Sequence, residues 1–404
     1  MIGDRIRQAR LAAGLTLGEV AERLAAAGRN ITRQGLSKYE RNKSTPGADF
    51  LLKLGRVLGV KPPYFLSDPE ITIQWLAFRK HSRLGKRRQD RVKALALTIV
   101  EGQIWLQMTL YPDERPSFPR LPTRTLDNAE EAACTLRSEW NLGNRPIESV
   151  TETVEDRGGV VVLSEESDAE FDGLCGLANQ DFPVVVVSSL VPDDRRRYDI
   201  AHELGHLVMD CEDLPPKEQE NLAHRFAAAL LVPEVAARQE LGTKRRRLTF
   251  EELGLLKRKY GLSMQAWARR AFDLGIIEEG HYRSLCVEFS ARKWRKEEPV
   301  SFEGREKPMR LRQMVHRALA EGIITPEKAQ ELRPHGGEAL DILPQGPAPT
   351  RVSAIELMKL PRKEREEIMA MAAALADKEY RSNSALTDFE AFGGDDLYDG
   401  TEEG

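Results

Sequence analysis

The spacing of apolar residues predicts a run of short helices at the start of the chain. Ile6, Ala9 and Ala13 recur at helical intervals, and the pattern stops at Gly14. Residues 16–19 read Thr-Leu-Gly-Glu, a capping-box pattern in which two side chains satisfy backbone N–H groups of the first helical turn. A second helix is therefore predicted shortly after the first.

Two further helices follow, and their start and end signals are equally clear. Within residues 31–41, Leu36 and Tyr39 share one helical face, and polar residues occupy the other. Thr45 followed by Pro46 predicts the cap and first residue of the next helix, and Gly59 predicts its end. The whole pattern predicts five short helices within residues 1–66.

The rest of the chain alternates between helical, strand-like and breaker-rich stretches. A basic helical pattern covers residues 79–93, and four prolines between positions 112 and 122 predict a linker. The β-branched runs that end at Leu163 and Val187 predict buried strands of a small sheet. Helical patterns then dominate residues 195–332, with helix starts predicted at Thr249 and Thr325.

These patterns predict a mostly helical α+β protein with several domains. The predicted segments are a five-helix domain (1–66), a connecting helix and linker (67–125), a domain with a small sheet and a helical extension (126–335), a flexible Pro- and Gly-rich linker (336–352) and a tail (353–404). The tail has one amphipathic helical pattern, over residues 355–380. Its end holds seven acidic groups and no basic one between positions 388 and 404, so we expect it not to fold alone.

Composition and charge narrow the function classes. Of 404 residues, 41% are hydrophobic and 31% charged, and no apolar run approaches the roughly 18 residues that span a bilayer. The N-terminus is polar and lacks a secretory-signal pattern, so we expect a cytoplasmic protein without a membrane partner. The four cysteines are far apart, which predicts reduced thiols.

Charge is distributed unevenly along the chain. The net charge is −4, but residues 1–100 contain 20 Lys and Arg and 8 Asp and Glu, which gives this part a charge of +12. This predicts that the basic N-terminal part binds a polyanion.

The residues with the clearest chemistry are His202, Glu203 and His206. Two histidines four positions apart on a helix project from one face and can take neighbouring positions on a tetrahedral zinc. In such sites the glutamate does not bind the metal; it takes a proton from the attacking water and later passes it to the leaving amine. This spacing predicts a zinc-peptidase active site, with manganese as an alternative metal.

A third metal ligand is available on the next predicted helix. Residues 218–233 form an amphipathic pattern that ends at a proline, and Glu220 and His224 share one of its faces. A carboxylate oxygen and an imidazole nitrogen can both bind zinc, so the residues alone leave both candidates open. Tyr198 lies one turn before His202 and is a candidate for stabilising an oxyanion, although an aromatic at this position is more often part of the core.

These blocks resemble the ImmA/IrrE family of metallopeptidases. The resemblance rests on Arg-Tyr-Asp-Ile-Ala-His-Glu-Leu-Gly-His at 197–206 and on Glu-x-x-Ala-His-Arg-Phe-Ala-x-x-Leu-Leu-x-Pro at 220–233. Residues 1–66 are similar to an XRE-type helix-turn-helix domain, so the resemblance covers about residues 1–66 and 125–335. It implies a zincin-like peptidase domain in which zinc is bound by His202, His206 and Glu220, with Glu203 as the catalytic glutamate.

The family also implies what is cleaved, and the chain departs from its pattern at one point. Members cleave repressor proteins, which implies a protein substrate here, such as a repressor- or antitoxin-type regulator or the chain itself. Many relatives have Glu-Ala-Asn before Arg-Phe-Ala, whereas this chain has Leu-Ala-His, which makes His224 a rival ligand or a group that orients Glu220. The tail beyond residue 350 lies outside the family and resembles small antitoxin-like proteins.

The XRE-type resemblance and the basic charge point to double-stranded DNA as a partner. Residues near the start of the recognition helix are expected to reach base edges: Arg33, Gln34, Ser37 and Lys38. Residues beyond its end are expected to meet phosphates: Arg41, Asn42 and Lys43. The basic run 86–88 adjoins this domain and is a further expected DNA contact, whereas the runs 195–197 and 244–247 are interpreted as solvated faces. A homodimer stays compatible with these features.

Two functions fit the sequence. The first is a regulator that binds DNA and cleaves a protein. The second is a non-catalytic repressor or antitoxin whose zinc fold senses a signal or docks a partner. The intact Glu203 favours the first function, because a fold retained only for binding needs no proton shuttle between its two histidines.

Overall fold

The computed structural model of the protein describes most of the first 332 residues. Described are residues 1–67, 71–77, 85–165, 171, 173–295 and 297–332, together with residues 361, 362, 365, 366, 369, 370 and 373. The chain divides into two compact units, Met1–Ala339 and Leu340–Gly404. The linker expected at 336–352, most of the tail helix expected at 355–380 and the acidic end lie outside the described residues.

The N-terminal part contains four α-helices and one 3₁₀-helix among the described residues. They are α1 (Ile2–Ala12), α2 (Leu17–Ala26), α3 (Arg33–Glu40), α4 (Ala48–Leu58) and the 3₁₀-helix Pro62–Leu66. The predicted capping box is present, since Thr16 and Glu19 each accept a hydrogen bond from the other's backbone N–H. Leu24, Leu36 and Leu54 are at most 1% exposed and lie at the centre of this domain's core.

Two details of this domain differ from the prediction. The N-cap of α4 is Gly47 and not Thr45, because Pro46 is buried and lies outside the helix. The fifth predicted helix is a 3₁₀-helix that begins with two prolines, which lack the N–H groups needed for helical hydrogen bonds.

The long helix α5 (Lys86–Leu110) is more than a connector. Arg5 on α1 donates to Glu101 on α5 with an Nη1–Oε2 distance of 2.6 Å, and both side chains are largely buried. Near the start of α5, Arg87 donates to the carboxylate of Glu19 on α2. The helix-turn-helix domain is therefore docked along α5 by ion pairs. The first part of the predicted basic helix, residues 79–84, lies outside the described residues.

A small sheet forms the centre of the second domain. The strands are β1 (Ile73–Ala77), β2 (Leu121–Pro122), β3 (Val160–Ser164), β4 (Gly173–Ala178), β5 (Phe182–Ser188) and β6 (Met209–Asp210). Four of them form one sheet in the order β1-β4-β5-β3, in which β3 and β5 are parallel and β4 is antiparallel to both neighbours. The two predicted strands, β3 and β5, are confirmed. The short strands β2 and β6 form a separate parallel pair.

Helix α5 packs on one face of this sheet and α8 on the other. The helices that follow α5 are α6 (Leu126–Glu139), α7 (Val150–Asp156), α8 (Asp193–Val208), α9 (Pro216–Leu231), α10 (Glu234–Leu241), α11 (Phe250–Tyr260), α12 (Met264–Asp273), α13 (Glu279–Ala291), α14 (Arg310–Ala320) and α15 (Pro326–Glu331). Val184 and Val186 of β5 pack with α5, whereas Val185 and Val187 pack with α8 and the helices around it. The strand is buried on both faces, which explains its continuous apolar run. The expected fold class, a mostly helical α+β protein with a small sheet, is confirmed.

The basic run 195–197 is not the solvated face that we expected. Arg196 and Arg197 are 7% and 1% exposed. Arg197 donates to the backbone carbonyl of Ile147 and lies 3.6 Å from the buried carboxylate of Glu306. Arg196 also donates to the backbone carbonyl of Glu306. The two arginines therefore attach the start of α8 to the segment that carries Glu306. Among the described helices, none is both long enough and apolar enough to cross a membrane.

Candidate metal centre and DNA-binding surface

Helix α8 places His202, Glu203 and His206 in the interior of the second domain. Their exposed fractions are 0%, 1% and 8%. The apolar stripe beside them, which includes Leu204 and Leu207, belongs to the core. Because the two histidines are one helical turn apart, their Nε2 atoms lie 3.2 Å from each other.

The adjacent helix α9 brings Glu220 opposite the two histidines. Its carboxylate oxygens lie 3.3 Å from Nε2 of His202 and 3.5 Å from Nε2 of His206. This approach depends on Gly205, since a Cβ atom there would lie 3.0 Å from the ring of Phe226 on α9. The glycine in the His-Glu-x-x-His segment is therefore a packing requirement of the site.

The three donor groups fit the coordination sphere of one zinc ion. Ligand atoms around a tetrahedral zinc with bonds of about 2.0–2.2 Å are separated by about 3.3–3.6 Å. The Nε2–Nε2 separation is 3.2 Å, and the distances from His202 and His206 to the nearer of the two carboxylate oxygens of Glu220, a different oxygen for each, are 3.3 and 3.5 Å, which agrees with this range to about 0.1 Å. Burial opposes ionisation of Glu220, but hydrogen bonds and charge interactions with His202 and His206 outweigh it and hold the pKa of Glu220 below its ordinary value. Two imidazoles and one carboxylate form a donor set that suits a catalytic zinc with one open position.

His224 lies at the edge of the same group of side chains. Its ring centre is 4.5 Å from that of His202, and one of its ring nitrogens is within 4.8 Å of donor atoms of His202 and Glu220. Nδ1 of His224 is 3.1 Å from the hydroxyl of Tyr198. The geometry keeps His224 as a rival of Glu220, and it places Tyr198 next to the candidate metal centre.

Glu203 lies against the first residue of β4. A Cβ atom at Gly173 would be 2.7 Å from Oε1 of Glu203 and 3.0 Å from its Cδ, so a residue larger than glycine would displace the carboxylate. The sequence reasoning missed both β4 and this contact. A glycine inside a strand can mark a close approach of another group, and Gly173 was the available signal.

Buried charges outside the metal centre hold α8 and its neighbours together. Glu306 is fully buried and accepts hydrogen bonds from the backbone N–H groups of Val150 and Thr151 at the start of α7. Lys257 lies 2.8 Å from Asp194 in the first turn of α8 and 2.9 Å from Glu298. These partners are 41 to 156 positions apart in the chain, so no local pattern predicts them.

Helix α3 presents most of the candidate DNA contacts to solvent. Exposed are Arg33, Gln34, Lys38, Arg41, Asn42 and Lys43, and Ser37 is half-buried. The start of the helix is fixed by Thr32, whose hydroxyl accepts a hydrogen bond from the N–H of Gly35. Asn42 has a left-handed backbone conformation with φ of 55°, and its Oδ1 accepts a 2.8 Å hydrogen bond from the N–H of Gly3. Asn42 thus holds the turn after α3 against the start of α1.

The fold defines a helix-turn-helix domain attached to an α+β domain in which two helices bring histidines and a glutamate together. Residues 6–65 match the family described as Helix-turn-helix. Residues 155–272 match the family described as IrrE N-terminal-like domain. The chain therefore contains an XRE-type helix-turn-helix domain and an ImmA/IrrE-like domain, and the resemblance inferred from the sequence is confirmed.

Two proteins of Bacillus subtilis (strain 168) resemble the N-terminal part of the chain. The HTH-type transcriptional regulator ImmR is 39% identical over 71 residues, which is 18% of this chain and 52% of that protein. The SPbeta prophage-derived uncharacterized HTH-type transcriptional regulator YonR is 36% identical over 66 residues, which is 16% of this chain and 56% of that protein. The chain thus spans about half the length of the curated relatives it matches.

Proposed function

We propose that the chain is a DNA-binding transcriptional regulator whose ImmA/IrrE-like domain is a zinc-dependent endopeptidase. The observation that carries this proposal is the convergence of the two imidazole Nε2 atoms of His202 and His206 and the carboxylate of Glu220, at distances of 3.2–3.5 Å, at the helix that also carries the buried Glu203. Three pre-positioned donors and one neighbouring carboxylate are what metal-assisted peptide hydrolysis requires.

Each residue has a distinct role in this proposal. His202, His206 and Glu220 would hold the metal, which when bound supplies Lewis-acid polarisation of the scissile carbonyl and of the attacking water. Glu203 takes the proton of that water and delivers it to the leaving nitrogen. The burial of Glu203 favours proton transfer, because bulk water does not compete for hydrogen bonds to its carboxylate. His224 and Tyr198 lie beside the same group of side chains; His224 orients Glu220, and Tyr198 is the candidate for stabilising an oxyanion.

We further propose that the substrate is a protein, either a repressor- or antitoxin-type regulator or the chain itself. The family resemblance supports a proteinaceous substrate. DNA binding is assigned to α3, where Arg33, Gln34, Ser37 and Lys38 would read base edges, and to the turn behind it, where Arg41 and Lys43 would meet phosphates. We place the protein in the cytoplasm, where a regulator of this kind meets both partners.

Metal content and cleavage measured on three purified variants test the site. Glu203→Gln should retain zinc and lose turnover, because it removes the proton acceptor and leaves the donors intact. Glu220→Ala should lose zinc and turnover together, and His224→Ala should keep zinc with reduced activity. A zinc-replete Glu220→Ala variant beside a zinc-free His224→Ala variant would reverse the assignment of the third ligand.

The activity itself is tested by incubating the protein with zinc or manganese and with proteins encoded by neighbouring genes. A discrete cut that disappears in Glu203→Gln supports the endopeptidase. If each of these proteins stays intact while zinc is bound stoichiometrically, the domain senses a signal or docks a partner instead.

A further inference from the structure

The first helix of the helix-turn-helix motif is acidic where it should meet DNA. In such motifs the second helix enters the major groove and the first helix crosses the phosphate backbone, so these roles fall to α3 and α2. Residues 11–22, which contain the turn before α2 and its first half, include Glu19 and Glu22 and no Lys or Arg. Two carboxylates beside a phosphate backbone are repulsive unless cations from another element lie next to them.

The start of α5 brings cations to this end of α2. Nη2 of Arg87 lies 3.0 and 2.9 Å from the two carboxylate oxygens of Glu19, and its Nε donates to the carbonyl of Gly14 over 2.8 Å. Arg91, one turn further along α5, donates from Nε to the carbonyl of Ala12. The first two turns of α5 therefore lie against the turn that precedes α2, and Arg87 neutralises Glu19.

The start of α5 carries more positive charge than these contacts use. Residues 86–93 contain five basic residues and one acidic residue. The side chain of Lys86 is 87% exposed, and Arg88 and Arg91 are exposed as well. The first turn of α5 contains no acidic residue, although positive charges at a helix N-terminus oppose the helix dipole. Helix stability therefore does not explain these cations, whereas a bound polyanion would interact favourably with them.

Helix α5 is also part of the core of the second domain. Val92, Ala96, Val100 and Ile104 are buried in the cluster that contains the apolar residues of β3 and β5 on one face of the sheet. A cation at the start of α5 is therefore fixed to the sheet-bearing domain as well as to the helix-turn-helix domain.

We propose that the start of α5 is a second DNA-contacting surface, on which Lys86, Arg88 and Arg91 bind phosphates of the duplex whose bases α3 reads. This inference rests on the proposed DNA binding. Phosphate contacts carry no sequence information, but they raise affinity and fix the orientation of the protein on the duplex. Because α5 is anchored in the sheet-bearing domain, both domains then contact the same duplex.

The salt dependence of DNA binding by the full chain tests this surface. The probe is a fluorescent random-sequence duplex of about 30 base pairs, since phosphate contacts do not depend on sequence, and binding is measured by fluorescence anisotropy. Lys86→Ala/Arg88→Ala removes two cations and keeps the contacts of Arg87 and Arg91 with the helix-turn-helix domain. The slope of log affinity against log salt should fall by about 2. Between about 0.05 and 0.2 M salt, the wild type should therefore lose roughly ten-fold more affinity than the variant does.

Lys244→Ala/Arg247→Ala is the matched control. Both residues are exposed and lie in the ImmA/IrrE-like domain, and their replacement changes the net charge by the same amount. The slope of this control should equal that of the wild type. Lys86→Arg/Arg88→Lys keeps both charges and should also keep the slope. The circular dichroism spectrum, which should match that of the wild type in each variant, reports the fold.

An unchanged slope in Lys86→Ala/Arg88→Ala would overturn the proposal. An equal decrease in that variant and in Lys244→Ala/Arg247→Ala would overturn it as well, because net charge alone would then explain the effect.

Arg41→Ala/Lys43→Ala, which alters the turn after α3, separates this inference from the proposed DNA binding. A lower slope in this variant beside an unchanged slope in Lys86→Ala/Arg88→Ala would leave DNA binding in place and count against the α5 surface alone. A wild type that binds no duplex at any salt concentration would overturn both.

Discussion

The candidate metal centre and the candidate DNA-binding surface are built in opposite ways. The donor residues of α8 are at most 8% exposed, and their positions are fixed by helix packing that Gly205 permits. The candidate DNA contacts on and after α3 are nearly all exposed, on a domain with a core of its own. A chemical site that depends on distances is thus placed in the interior, and a site that depends on charge is placed on the surface.

This difference predicts different responses to substitution. Packing changes near α8 and α9 should act on metal affinity strongly, because donor separations must stay within tenths of an ångström. Substitutions on α3 should act in graded steps, because each exposed contact contributes separately and is screened by salt.

The largest effect is expected for Gly205→Val. A Cβ atom added at this position would lie 3.0 Å from the ring of Phe226. The further methyl groups of valine would push α9, with Glu220, away from the histidines. Overpacking of this kind costs about 1–3 kcal/mol or more, so zinc affinity should fall by roughly 100-fold. The measurement is competitive zinc titration with a chromophoric chelator.

Gly280→Val is the matched control for that substitution. Gly280 also lies in a helix, α13, but a Cβ atom there meets nothing within 4 Å. This variant should bind zinc like the wild type, and both variants should bind DNA normally. Equal zinc affinity in the two valine variants would show that the α8–α9 approach does not set the site.

The second prediction concerns a buried carboxyl group in the ImmA/IrrE-like domain. Burial raises the pKa of Glu155 to about 7, although the N–H groups of Met309 and Arg310 donate to it and oppose the shift. Between about pH 4.5 and 7 the folded chain holds a proton that the unfolded chain has lost, so the free energy of unfolding falls as pH rises through this window.

Glu155→Gln should remove this pH dependence. Glutamine keeps an oxygen that accepts the two N–H groups, and it cannot ionise. The variant should gain roughly 3 kcal/mol over the wild type at pH 8 and little below pH 4.5, measured by urea unfolding. The exposed Glu152 lies on the same helix, and Glu152→Gln serves as the control. An equal gain at both pH values would contradict the assignment.

The third prediction divides the DNA-binding surface into two parts. Arg41→Ala/Lys43→Ala should weaken binding to all duplexes alike and lower the slope of log affinity against log salt by about 2. Arg33→Ala/Gln34→Ala should instead reduce the discrimination between operator and random DNA by about 1–3 kcal/mol per lost base contact. Arg246 is an exposed arginine of the ImmA/IrrE-like domain, and Arg246→Ala controls for net charge in the gel-shift assay. Unchanged binding in both double variants would show that α3 is not the recognition helix.

How much of this molecule the sequence predicts depends on the range of the interactions. The His-Glu-x-x-His spacing, the capping box at Thr16 and the runs that form β3 and β5 are local patterns, and each was predicted from neighbouring residues. Gly205 is needed because α8 and α9 pack closely at this position. The sequence shows the glycine, but only the packing of the two helices shows why a larger residue does not fit.

Long-range features could not be predicted in the same way. Arg5 and Glu101 are 96 positions apart, and each looks like an ordinary surface charge in the sequence. β4 is rich in glycine and lacks the alternation that identifies a strand, whereas the alternation of Ile71 to Trp75 at β1 was a signal that the sequence reasoning missed. The docking of the DNA domain on α5 and the strand that covers the edge of β4 therefore come from the structure.

The smallest expected effect tests whether the two contrasted regions unfold together. Thr16 caps α2 in the helix-turn-helix domain and Thr249 caps α11 in the ImmA/IrrE-like domain, and each hydroxyl accepts one backbone N–H. Replacing either with alanine should cost about 1 kcal/mol, or a few degrees in Tm. Because the Arg5–Glu101 ion pair docks the first domain onto α5, we expect a single calorimetric transition that both substitutions lower by similar amounts. If Thr16→Ala instead shifts a separate transition and leaves the main one in place, the helix-turn-helix domain is an independent folding unit.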